Sequence, residues 1–109
     1  MSYYDKDGKP MELMEWAKKF KDLKYRIIAQ DKVNGYRIST VWMGLDHQFG
    51  NGPPLIFETM AFQEDEKYQD RYTTLEEALQ GHQKAIRLAE LQPAGSVMDL
   101  QPVDLDQLP

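Results

Sequence analysis

The fold turns on one stretch, Tyr25-Arg-Ile-Ile-Ala-Gln-Asp-Lys-Val-Asn-Gly-Tyr-Arg-Ile-Ser-Thr-Val-Trp-Met43. Two runs rich in β-branched and aromatic residues, Tyr25 to Val33 and Tyr36 to Met43, flank Asn34-Gly35. Asn-Gly between two such runs is the strongest short-range hairpin signal, because a type I′ turn needs positive φ at both central positions. A two-residue loop also sets the register. It pairs Val33 with Tyr36, Ala29 with Thr40 and Ile27 with Trp42 on one face, predicted to be the core face, and places Gln30/Ser39 and Lys32/Arg37 on the other.

Upstream of the hairpin, Leu13, Trp16, Ala17, Phe20 and Leu23 recur at helical spacing and predict an amphipathic helix over about residues 11–22. Glu12 and Glu15 fall in its early turns and Lys18, Lys19 and Lys21 in its late ones, the order that suits the helix dipole. Downstream, an eleven-residue connection, Gly44 to Pro54, leads to a third strand, Leu55 to Phe62. Residues 63–72 (Gln-Glu-Asp-Glu-Lys-Tyr-Gln-Asp-Arg-Tyr) are so charged that they are predicted to be a crossover. Thr74-Leu-Glu-Glu77 has the spacing of a capping box and opens a second helix. Its apolar stripe is Leu75, Ala78, Leu79, His82, Ala85, Ile86 and Ala89, and it should stop before Pro93. The expected fold is α+β: a three-stranded antiparallel meander with one N-terminal and one C-terminal helix packed on one face, in the order α-β-β-β-α.

The chain has 109 residues and a formal net charge of -5, with no Cys. Its length suits one domain, expected over residues 1–91, with 92–109 as an acidic, proline-containing flexible tail. The lack of Cys removes disulfides, thiol nucleophiles, iron–sulfur clusters and Cys-based zinc sites. No apolar run approaches the ~20 residues of a membrane span, and the first residues lack the pattern of a signal peptide, so no membrane partner and a cytoplasmic setting are expected. The charge is uneven. Residues 18–37 hold seven Lys and Arg against two Asp, whereas residues 88–109 hold four acidic groups and no Lys or Arg.

Two segments are candidate sites. The connection 44–54 frames Asp46, His47, Gln48 and Phe49 between glycines and prolines, as binding loops often do. The basic segment offers Lys18, Lys21, Lys24, Arg26, Lys32 and Arg37, a footprint suited to nucleic acid or an acidic partner, although a solvated face is the first structural expectation for it. Asp46, His47, Glu58 and His82 are also of the types that ligate zinc or manganese, but they match no standard signature. Each has a plain structural role as well. His82 lies in an apolar stripe and suits a hydrogen-bonded core position, Asp46 suits a turn cap, and Glu58 suits an outward strand position.

Ser39-Thr-Val-Trp-Met-Gly-Leu-Asp-His-Gln-Phe-Gly50, Pro54-Leu-Ile-Phe-Glu-Thr-Met-Ala-Phe62 and Tyr72-Thr-Thr-Leu-Glu-Glu-Ala-Leu-Gln-Gly-His82 together resemble a family of small uncharacterised bacteriophage and prophage proteins. Tyr3-Tyr-Asp-Lys-Asp-Gly-Lys-Pro10 and Glu15-Trp-Ala17 are similar to it too, so the resemblance covers about residues 3–87. It implies a phage gene expressed in bacterial cytoplasm and no mechanism. The expected function is a non-enzymatic binding protein, a host-interaction or anti-defence inhibitor without a cofactor. Its expected partner is a bacterial host or phage protein, with nucleic acid through residues 18–37 as a further candidate. The alternative is a small zinc- or manganese-dependent hydrolase or nuclease built on the Asp46-His47 loop.

Overall fold

A computed structural model of the chain describes residues 2–46, 50, 52–64 and 66–92. In chain order the elements are β1 (Tyr3–Tyr4), β2 (Pro10–Met11), α1 (Leu13–Lys21), α2 (Leu23–Arg26), β3 (Ile27–Val33), β4 (Tyr36–Trp42), β5 (Phe57–Gln63), β6 (Glu66–Tyr72) and α3 (Leu75–Glu90). The predicted hairpin is β3–β4, and its turn has φ of 52° at Asn34 and 86° at Gly35. The turn register holds from Val33 to Ala29. There a bulge shifts it by one, so that Ile27 lies opposite Val41 rather than Trp42. The extra residue, Ile28, packs with the cluster around Trp42, which gives the bulge its physical reason.

The sheet has four antiparallel strands in the order β3-β4-β5-β6, with β1-β2 forming a separate two-stranded sheet. The three-stranded meander is therefore corrected, because residues 66–72 pair with β5 along its whole length, from Phe57 with Tyr72 to Gln63 with Glu66. The charged composition that argued for a crossover instead belongs to an edge strand, where charge discourages pairing with another chain. Tyr68 turns inward and is 1% exposed, while Lys67 and Arg71 are exposed. The N-terminal helix ends near residue 22 as expected, at Asp22, whose extended backbone ends α1 and whose carboxylate accepts from the Lys24 amide to start a second helix, α2. The single N-terminal helix is therefore corrected to two, because α2 takes Tyr25 and Arg26 from the expected first strand.

One face of the sheet is buried. Tyr36, Ile38, Thr40 and Trp42 of β4, with Phe57, Thr59 and Ala61 of β5, are all at most 1% exposed. The helix α3 lies across this face and touches all four strands. Its capping box forms as predicted, with the Thr74 hydroxyl accepting from the Glu77 amide and the Glu77 carboxylate from the Thr74 amide. Gly81 is needed inside this helix because a Cβ there would stand 2.0 Å from the Tyr72 hydroxyl. At the other end of the face, Trp42 meets Tyr25 edge-on at 4.8 Å and packs with Trp16 and Phe20 of α1. Both indoles are tied to backbone: Trp16 Nε1 donates to the Met43 carbonyl at 2.9 Å and Trp42 Nε1 to the Tyr4 carbonyl at 3.0 Å.

Candidate functional site

The period of two that buries one face of each strand aims the alternate residues at the other face. Cross-strand pairing arranges them in rows. Nearest the β3–β4 turn run Lys32, Arg37, Phe62 and Lys67; next come Gln30, Ser39, Met60 and Gln69; then Ile27, Val41, Glu58 and Arg71. Lys32, Arg37, Lys67, Arg71 and Gln30 are exposed and Phe62 is half-buried. A shallow groove of about 500 Å³ opens here, lined by Gln30, Asp31, Lys32, Arg37, Ile38, Ser39 and Phe62; the Asp31 carboxylate at its edge is half-exposed and bonded to His82 on the other side of the sheet. The helix α3 packs on the opposite side.

This face is basic in a protein that is acidic on average. Its described residues include four cations and one carboxylate, Glu58. Glu58 is already engaged: it accepts from Arg71 Nε at 3.1 Å and from Gln69 Nε2, and it is 7% exposed. Lys32 and Arg37 are directly opposed across the ladder, and among the described residues neither they nor Lys67 takes part in an ion pair. Like charges facing each other across strands are destabilising by roughly 0.2–1 kcal/mol.

The sequence candidates are thus divided. Lys32 and Arg37 belong to this face. Lys18, Lys21 and Lys24 sit on α1 and α2, which pack at the Trp42 end, and the Arg26 guanidinium stacks 3.9 Å over the Phe20 ring. Phe62, Met60, Lys67, Gln69 and Arg71 were not among the candidates, although the alternation of Lys67, Gln69 and Arg71 with Tyr68 and Tyr72 is a strand signal. In the connection, Asp46 accepts from the Leu55 amide at 3.2 Å and so ties the two ends of the segment together. This amide lies nine residues along the chain, and the Asx-turn amide expected two residues on, that of Gln48, lies outside the described residues. His47, Gln48 and Phe49 lie outside the described residues.

Of the four candidate metal ligands, Glu58 and His82 are not brought together. Glu58 points to the open face, and His82 of α3 is 1% exposed beneath the other. Among the described residues no group of three or more His, Asp or Glu is placed to hold a metal ion. His82 is held instead at both ring nitrogens, with Asp31 Oδ2 2.7 Å from Nε2 and Thr40 Oγ1 2.7 Å from Nδ1, and Thr40 continues to Thr59 Oγ1. The order carboxylate, imidazole, hydroxyl is that of a nucleophile relay. Here both hydroxyls are 0% exposed, so no substrate reaches them, and the chain of bonds satisfies polar groups that α3 buries. Burial also pushes the Tyr68 phenol up to about 12 and raises Tyr72, leaving both neutral at ordinary pH.

No protein-family model, curated protein or solved structure matches the chain. Among the described residues no helix is long and apolar enough to cross a membrane.

Proposed function

We propose that this chain is a non-enzymatic binding protein that takes single-stranded nucleic acid on the open face of the β3–β6 sheet. The observation that carries this is the row Lys32, Arg37, Phe62 and Lys67, a half-buried aromatic ring set among three cations that have no ion-pair partner among the described residues. Single-strand binders combine a cationic surface that follows the phosphates with an aromatic face on which bases stack. Gln30, Ser39 and Gln69 in the next row offer donors and acceptors to base edges. The resemblance to phage and prophage proteins supports a bacterial cytoplasmic setting, where the ligand is phage or host nucleic acid.

The test is fluorescence anisotropy with labelled dT20 and rU20 across a salt series. Binding is expected to weaken with salt, and neutralising Lys32, Arg37 and Lys67 to Gln should flatten the log–log salt dependence by about 0.7 per charge removed. Phe62→Ala should lose roughly five- to a hundredfold in affinity, the range of one stacked base. Absence of salt-dependent binding to either oligonucleotide overturns the proposal, and an acidic host protein then becomes the partner to seek by pull-down.

A further inference from the structure

We propose that the acidic segment 93–109 of this same chain docks on the basic sheet face and competes there with nucleic acid, an inference that rests on the function proposed above. Where the described chain ends is the first reason. The Asn34 side-chain amide donates to the carbonyls of both Ala89 and Gln92, and the Gln92 amide donates to the Ala89 carbonyl. These bonds deliver residue 92 to the β3–β4 turn. Lys32 and Arg37 are the first outward-facing pair beyond that turn, with Phe62 and Lys67 continuing the row.

Charge and reach are the second and third reasons. Residues 93–109 carry Asp99, Asp104 and Asp106 and no Lys, Arg or His. Lys32, Arg37 and Lys67 offer three cations without an ion-pair partner among the described residues. From Gln92 to Asp99 an extended chain spans up to ~23 Å. Four strands ~4.8 Å apart make a sheet only ~15 Å wide, so Asp99 can meet any of the three cations. The aliphatic residues between the aspartates, among them Leu100, Val103 and Leu105, suit Phe62 and Met60. The other exposed lysines among the described residues, Lys9 of the β1–β2 hairpin and Lys18, Lys21 and Lys24 of the helices, sit on the elements that pack at the far, Trp42 end of the sheet.

A tethered segment acts at an effective concentration near millimolar, so even weak contacts can hold it in place. The apparent affinity for a competing ligand falls by the fraction of molecules left open. The test compares the full chain with its D99N/D104N/D106N variant, which retains the domain unchanged. Amide NMR shifts between the two are expected at Lys32, Arg37, Phe62 and Lys67, to be absent at Lys18 and Lys21, and to vanish in 0.5 M salt; dT20 should bind the variant about tenfold more tightly. Coincident spectra at the four face positions, or equal measurable dT20 affinity in the two proteins, overturn the proposal. Face shifts without dT20 binding by either protein keep the docking and overturn the nucleic-acid ligand instead.

Discussion

The two faces of the β3–β6 sheet are made by the same strands, residue by residue in alternation, yet they obey different rules. On one, Tyr36, Ile38, Trp42, Phe57 and Ala61 are sealed under α3 and the N-terminal elements, and each buried polar atom of the His82, Thr40 and Thr59 set has a partner. On the other, Lys32 opposes Arg37 and no helix compensates them. The buried face is organised to lower the free energy of the fold. The open face keeps a like-charge pair that costs the fold roughly 0.2–1 kcal/mol, and the binding proposed above supplies a reason for keeping it.

If this contrast is correct, substitutions on the two faces should separate stability from binding. The largest stability loss is expected at Trp42→Ala, about 3–5 kcal/mol by chemical denaturation, because it removes a fully buried indole, its edge contact with Tyr25 and its bond to the Tyr4 carbonyl. Phe62→Ala, which removes an equally aromatic but half-buried residue, should cost well under half of that while weakening oligonucleotide binding by the factor given above. A loss at Phe62 as large as at Trp42 would show that the open face is a second core.

Next in size is Gly81→Ala. In an exposed helix interior this change gains up to about 1 kcal/mol. Here the new methyl would meet the Tyr72 ring and hydroxyl, so a net cost of about 1–3 kcal/mol is expected from overpacking, read as a lower melting temperature. The pH response of the buried face is smaller within the usual range. Tyr68 holds its proton up to about 12 in the folded chain, against about 10 when unfolded. Below pH 10 both states are protonated and nothing changes. Between pH 10 and 12 only the unfolded phenol ionises, so stability falls as pH rises, by roughly 1.4 kcal/mol per unit from this group. Tyr68→Phe should remove that part of the slope, and an unchanged slope would place Tyr68 in water.

The smallest effect is the most telling for the open face. Lys32→Glu turns the repulsion with Arg37 into an attraction and should stabilise the fold by roughly 0.2–1 kcal/mol, while weakening dT20 binding. A destabilised variant, or one with unchanged binding, would remove the case that the face is held for a ligand.

Some of this was legible before any coordinates. The Asn34-Gly35 turn, the capping box at Thr74 and the helical stripe ending near Ala89 are local signals, each decided by residues within a few positions of one another, and each stands as read. The fourth strand was not legible, because a charged edge strand and a charged loop have similar composition and differ only in whether a partner strand lies alongside. With β6 misread, Lys67 and Arg71 were lost from the candidate surface and Phe62 had no cationic neighbour on its far side. Glu58 and His82 of the alternative metal set lie apart for a related reason: Glu58 and Thr59 are adjacent in sequence, but the pleat sends them to opposite faces, and only the placement of α3 shows which face His82 shares.

The sequence by itself therefore determined the hairpin turn, the capping box of α3, the aromatic and aliphatic residues available for a core, and the uneven distribution of charge, since these depend on backbone conformation and on composition. Only the tertiary structure decided that residues 66–72 complete the sheet, that no described helix covers one of its faces, and that cations from β3, β4 and β6 align in one row around Phe62 from β5. The physical reason is that register and packing are long-range: they place Lys32 and Lys67, 35 positions apart, in one row and join Asp31 to His82 across 51 positions, relations that no local pattern encodes.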